Sequence, residues 1–178
     1  TPAFALSGGP DTFGYTFADS DELNGPMLDF EDISGTGTLL GISLIDDSIT
    51  TVSLGFDFDF YGQTKSQVAV STNGFITFDL SSGSGCCTGP AIPSTNNAED
   101  FSAFAWEDHD PSNTVAARIY TETRGTAPNR VFIAQYSNVP WFNLSDSGNT
   151  VQVKLFETTN NIEIHYATMS PKPDPGLA

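Results

Sequence analysis

Apolar and polar residues alternate with a period of two along much of this chain. The clearest run places Val52, Leu54, Phe56, Phe58 and Phe60 against Ser53, Gly55, Asp57 and Asp59. Strict alternation of this kind marks a strand with one buried face. Phe13, Tyr15 and Phe17 repeat the pattern near the start. Val131, Ile133 and Gln135 interleave with Phe132, Ala134 and Tyr136, and Val151, Val153 and Leu155 interleave with Gln152, Lys154 and Phe156. The first of these pairs of rows reads as a strand covered on both faces. Ile162, Ile164 and Tyr166 follow Asn160-Asn161, which predicts a tight turn and a hairpin.

Shorter strands are predicted over Met27–Ile33, Thr38–Leu44, Gln67–Ser71, Phe75–Phe78, Ser102–Trp106 and Val115–Thr121. Turn residues separate nearly all of them, among them Asn24-Gly25-Pro26, Tyr61-Gly62, Asn73-Gly74 and Pro111-Ser112-Asn113. No stretch carries the spacing of an amphipathic helix. The predicted fold class is all-β: an antiparallel β-sandwich, jelly-roll-like. One binding module is expected over residues 1–169, with a Pro-rich tail or linker over 170–178. Residues 81–99 form a long Gly-, Ser- and Pro-rich loop that holds both cysteines. A loop of that length in a compact domain is usually functional or disordered.

Charge narrows the function. The 178 residues include 6 Lys+Arg and 22 Asp+Glu, a formal net charge of −16. A nucleic-acid binder needs basic side chains to displace phosphate counterions, so that class is set aside. Adsorption to anionic membranes is set aside for the same reason. Disorder is also a poor fit, because the chain has 14 Phe and 12% aromatic residues. No run approaches the roughly 18 apolar residues of a membrane span. No basic-plus-apolar leader opens the chain, so Thr1 reads as the start of a mature or trimmed product. Low charge density with abundant Ser, Thr, Asn and Gly points to a secreted or extracellular β domain.

A series of segments resembles a known family. It runs from Val70-Ser-Thr-Asn73-Gly74-Phe75-Ile-Thr-Phe78 through Phe104-Ala-Trp106-Glu107-Asp108 to Arg130-Val-Phe-Ile-Ala-Gln135-Tyr136. It continues with Val151-Gln-Val-Lys-Leu155-Phe-Glu157 and Ile162-Glu-Ile-His-Tyr166. These resemble the extracellular nidogen-like domain. They are also similar to β-sandwich modules of large secreted bacterial proteins, which open with a Tyr-Xaa-Phe-Xaa-Asp-Ser-Asp pattern like Tyr15–Asp21. The resemblance spans most of the chain, from Tyr15 to Tyr166. It implies a non-catalytic extracellular module used in adhesion or attached to secreted enzymes. Similar modules continue past the last strand with a Gly-rich segment that this chain lacks.

Cys86-Cys87 is the most unusual pair. Neighbouring Cα atoms lie about 3.8 Å apart, short of the usual disulfide span of roughly 4.4–6.8 Å, so a bond between them closes a strained ring. The two cysteines can pair with each other, pair between chains, or stay free. The sequence favours the vicinal disulfide. Such a ring gains little loop-closure entropy, so it reads either as a loop stiffener or as a rigid apolar knob under a flat ligand.

Acidic residues cluster at Asp19-Ser20-Asp21-Glu22 and at Glu107-Asp108-His109-Asp110. Hard cations take several oxygens from Asp, Asn and loop carbonyls. The predicted calcium ligands are Asp19, Asp21 and Asp32, against the alternative of a solvated acidic surface. Neither cluster fits an EF-hand. His109 lies among acids, which should raise its pKa, and His165 lies in a strand pattern. No Gly-Xaa-Ser-Xaa-Gly elbow, His-Glu-Xaa-Xaa-His motif or phosphate loop is present, so catalysis is not expected.

A binding surface is easier to build. Pro140-Trp141-Phe142-Asn143 interrupts the alternation. An exposed Trp beside Asn and Asp suits stacking on a sugar face, against the alternative that Trp141 caps the end of the sandwich. The candidate ligand residues are Trp141, Phe142, Tyr136, Cys86, Cys87, Asp108 and Asp110. Their predicted partner is a polysaccharide or a glycoprotein glycan, with the module serving a larger secreted protein. The alternative is an adhesion or structural domain contacting proteins or neighbouring modules.

Overall fold

The computed structural model describes residues 5–85, 89 and 100–172. The alternating run becomes β4 (Ile49–Phe60), after three short strands, β1 (Ser7–Gly8), β2 (Phe17–Ala18) and β3 (Thr38–Leu39). Then follow β5 (Gln63–Ser71), β6 (Phe75–Thr77) and β7 (Phe101–Ala103). A 3-10 turn at Pro111–Asn113 precedes β8 (Arg118–Arg124), β9 (Val131–Trp141), β10 (Leu144–Phe156) and β11 (Ile162–Thr168). Two antiparallel sheets pack as a sandwich, as the alternation predicts. One has the order β4-β5-β6-β7, the other β11-β10-β9-β8-β3, and β1 pairs separately with β2.

The core lies between the sheets. Leu54, Phe56, Phe58 and Phe60 of β4 face it with Val68, Val70 and Ile76. Ile119, Phe132, Ala134, Val151, Val153 and Leu155 meet them from the other sheet. Residues 132–136 and 151–155 are buried without a break, so this sheet is covered on both faces. What covers its outer face is the segment predicted as the strand Met27–Ile33. No strand forms there. The segment is a strap across the sheet, and its amides donate to side chains rather than to a backbone ladder. Asp29 N donates to His165 Nδ1 (3.2 Å), Glu31 N to Gln152 Oε1 (3.2 Å) and Ile33 N to Gln135 Oε1 (2.9 Å). Gln135 faces Gln152 across β9 and β10, and Gln152 faces His165 across β10 and β11, so the three acceptors form one row. Buried Lys154 pairs with Asp29 Oδ2 at 2.9 Å beside them.

Two further predicted elements differ. Thr38–Leu44 contracts to the two residues of β3, because the chain turns at Leu40–Ile45 and bonds Leu40 N to Ile119 O. The Pro140 interruption lies inside β9. Positive φ at Asn138 and register shifts near Asn149 accommodate it. A bulge is where a sheet tolerates proline. Ser170 is docked, donating its amide to Asn149 Oδ1 (2.9 Å), and Lys172 pairs with Glu107 (2.6 Å). Cys86 and Cys87 fall outside the described residues, as does the tail beyond 172.

Candidate functional site

Several of the predicted ligand residues meet at one end of the sandwich. The turn Thr72-Asn73-Gly74 between β5 and β6 organises it. Gly74 has φ +76, and a Cβ there would stand 2.0 Å from the Ala105 carbonyl oxygen, so only glycine lets the 105–109 segment close over the turn. Asn73 Oδ1 then accepts from His109 N (3.0 Å), while its Nδ2 donates to Asp47 Oδ1 (2.8 Å). His109 bridges to Trp141, Phe142 N donates to Asp108 O (2.9 Å), and Asp110 N donates to Pro140 O (3.1 Å). Asp108, Asp110, Trp141 and Phe142 are therefore neighbours.

Their exposure differs sharply. Trp141 is 5% exposed, stacked on His109 at 4.2 Å, with its indole N–H bonded to Ser170 O (3.0 Å). Tyr136 is 2% exposed, and its hydroxyl donates to Ser71 O (2.8 Å). Neither presents a ring face to solvent, because each lies beneath the loops that close this end. Phe142 is the exposed aromatic there, at 43%. Asp110 Oδ1 caps the 3-10 turn by accepting from Ser112 N (2.8 Å). His109 differs from the expected upward shift. Burial outweighs its acidic neighbours and pushes its pKa down to about 4. Its ring is therefore neutral at pH 7.

Carboxylates crowd the same end. Asp46, Asp47 and Asp108 bring one oxygen each within 4.8 Å of the others, the one such triplet among the described residues. Asp46 Oδ1 is buried and has no hydrogen-bond partner. Burial first, then the charges of Asp110 and Asp47, raises the Asp46 pKa, and burial first, then Asp47, raises that of Asp108. A carboxyl whose folded pKa exceeds its unfolded one stabilises the fold when protonated. These two therefore help most below the ordinary carboxylate pKa of about 4, and that help is lost as pH rises through their folded values. At pH 7 in chelator, Asp46→Asn should raise the melting temperature by about 2–4 °C. A lowered melting temperature would show that the carboxylate has a favourable partner there.

The predicted calcium ligands are not gathered. Asp19 Oδ1 accepts from Asp21 N (3.0 Å), and Asp32 Oδ1 accepts from Ser34 N (2.9 Å) and Gln135 Nε2 (2.8 Å). Asp32 thus anchors the strap. The three carboxylates that could hold a hard cation are instead Asp46, Asp47 and Asp108, on loops far apart in sequence.

A second concavity lies beside the β11 edge. It is an open groove of about 820 Å³, with apolar walls from Phe13, Tyr15, Phe17, Pro26, Ile162 and Ile164. Asp59, Thr159, Asn160, Asn161 and Glu163 supply polar groups. Asp11 shapes one wall: its Oδ1 accepts from Phe13 N and Tyr15 N, both at 2.9 Å. That turn stacks Tyr15 on Tyr61 (4.6 Å) and sets Phe13 edge-on to Tyr61 (5.2 Å). Asn160 is fixed to the end of β4, where Asp59 N donates to Asn160 Oδ1 (2.9 Å). Phe13 and Phe17 remain 63% and 56% exposed. The alternation of Phe13, Tyr15 and Phe17 suggests a strand with one buried face. The structure pairs only Phe17–Ala18, so these rings reach solvent. The signal that marks the groove in the sequence is the aromatic triplet itself, beside the turn residues of Tyr61-Gly62 and Asn160-Asn161.

A family model described as NIDO related matches residues 14–177, which takes in nearly all of the sandwich and both candidate regions. No curated protein and no solved structure matches the chain.

Proposed function

The chain belongs to the NIDO-related family of extracellular, generally non-catalytic modules of larger proteins, and from that premise we propose that it recognises polysaccharide or glycoconjugate chains on behalf of a secreted parent protein. The observation that carries the reading is the groove beside β11. Exposed Phe13 and Phe17 line an open concavity together with Asn160 and Asn161. Aromatic faces stack on the C–H faces of sugars, and amides bond hydroxyls on the ring edge. An open groove admits the middle of a chain as readily as its end.

The test is the affinity of single variants for an immobilised polysaccharide that retains the parent protein. Phe17→Ala should weaken binding at least tenfold. It should leave the melting temperature nearly unchanged, because an exposed side chain contributes within about 0.5 kcal/mol. Phe142→Ala should leave affinity intact. The reverse pattern would move the ligand to the Asp108–Phe142 end of the sandwich.

Calcium enters this proposal as a support for the loops of that other end, through Asp46, Asp47 and Asp108. Added Ca²⁺ should raise the melting temperature of the natural chain, and Asp108→Asn should abolish the rise. An unchanged melting temperature would remove the ion from the proposal.

A second reading, adhesion to a protein or a neighbouring module, is favoured by a different observation. Leu23, Met27 and Leu28 are 91%, 85% and 62% exposed in one short stretch leading into the strap and through its first residues. Apolar residues concentrated in this way suit a protein interface.

A further inference from the structure

Resting on the glycan reading of the groove, we propose that its ligand is a neutral polysaccharide, and that sulfated and uronate-rich polymers are excluded. Charge carries the inference. The groove's charged lining residues are Asp59 and Glu163, both acidic, and no Lys, Arg or His lines it. An anionic polymer would have to place its charges against these carboxylates.

The basic side chains elsewhere are engaged with other partners among the described residues. The chain has six Lys+Arg in all. Lys65 pairs with Asp100, Lys154 with Asp29, and Lys172 with Glu107. Arg124 pairs with Glu31 and Glu122, and Arg130 with Glu157. Arg118 Nη1 is bonded to the carbonyls of Val115 and Ala117. Tight recognition of sulfate or carboxylate draws on charge-assisted donors, and no Lys or Arg among the described residues lines the groove to supply one. The net charge of −16 adds long-range repulsion of any polyanion. The groups that do face the groove are complementary to uncharged hydroxyls. The Asn161 amide both donates and accepts, and the Asp59 carboxylate accepts, while Glu163 Oε2 is paired with His165 Nε2 (2.9 Å).

The experiment measures retention of the intact chain on neutral polymers (a β-glucan, a xylan and a mannan) and on anionic ones (alginate and a carrageenan). Each is run at low and at high salt. At least one neutral polymer should retain the protein, with affinity changing less than about twofold between the salt conditions, as expected when no ion pairs form. Phe17→Ala should lose that retention while still melting as a folded protein. The anionic polymers should not retain the chain at low salt, where repulsion is strongest, nor at high salt.

Retention by an anionic polymer in preference to the neutral ones would overturn the inference and leave the glycan reading standing. Retention by none would overturn the glycan reading itself. Retention that survives Phe17→Ala would remove the groove from both.

Discussion

Trp141→Ala lowers the stability of the protein by about 3–5 kcal/mol, the range for truncating a buried Trp. In a chain of this size that is a fall in melting temperature on the order of 10 °C. The ring fills the space beneath the end loops, stacks on His109 and holds Ser170 through its indole N–H. A calorimetric or fluorescence melt measures the loss. The same substitution opens His109 to water, so its pKa should move from about 4 towards the ordinary value near 6.5. The His109 ring proton shifts, followed by NMR against pH, report that change. In the natural chain, the neutral buried ring makes stability rise with pH from about 4 to about 6.5 and level off above it. The variant should lose most of that dependence. A melt within a degree of the natural protein would mean that the ring is not packed as described.

The second large effect lies on the outer face of the five-stranded sheet. Gln135 Oε1 accepts from Ile33 N and from Gln152 Nε2, while its Nε2 donates to Asp32 Oδ1 and Ser137 Oγ. Gln135→Leu keeps much of the volume and removes all of these bonds. It leaves the Ile33 amide buried without an acceptor, and an orphaned buried polar group costs about 1–3 kcal/mol. With the Asp32 anchor also lost, we expect about 2–4 kcal/mol in total. Native-state hydrogen exchange separates local from global effects. The amides of Glu31 and Ile33 should exchange much faster in the variant. Those of Val153 and Leu155 should fall only by the global loss of stability. Unchanged protection at Ile33 would show that the strap is held by something other than this row.

The two sheets were legible because their signal is local. Alternation along β4 states which side chains are inside, whatever packs against them. The continuous burial of residues 132–136 was legible in the same way, since both interleaved rows are apolar or amide-bearing. The strap was not. Its acceptors are side chains more than a hundred residues away, and Met27–Ile33 by itself has the composition of a strand.

The candidate site divides along the same line. The structure places Asp108, Asp110, Trp141 and Phe142 side by side, where the loop after β7 meets the end of β9. The sequence could not say which aromatic faces water. That depends on Ser170 and His109 closing over Trp141. The His109 shift was misjudged for a related reason: neighbouring charges are visible in sequence, but desolvation is not. The carboxylate triplet differs from the expected one because proximity in sequence gathers Asp19 and Asp21, whereas the turn at Asn73 gathers Asp47 with Asp108.

The strap also sets an order of events during synthesis. Asp29 leaves the ribosome before its acceptor His165, which lies 136 residues further along the chain. At about 5–20 residues per second, that is a wait of roughly 7–27 seconds. Gln135 and Gln152 arrive before His165, so the acceptor row is completed from the Ile33 end towards the Asp29 end. Through that interval the strap lacks its complete row of acceptors, and it becomes the last piece of the sandwich to close. A sandwich whose strap cannot be secured until β11 emerges keeps the outer face of its five-stranded sheet open while those residues are being made.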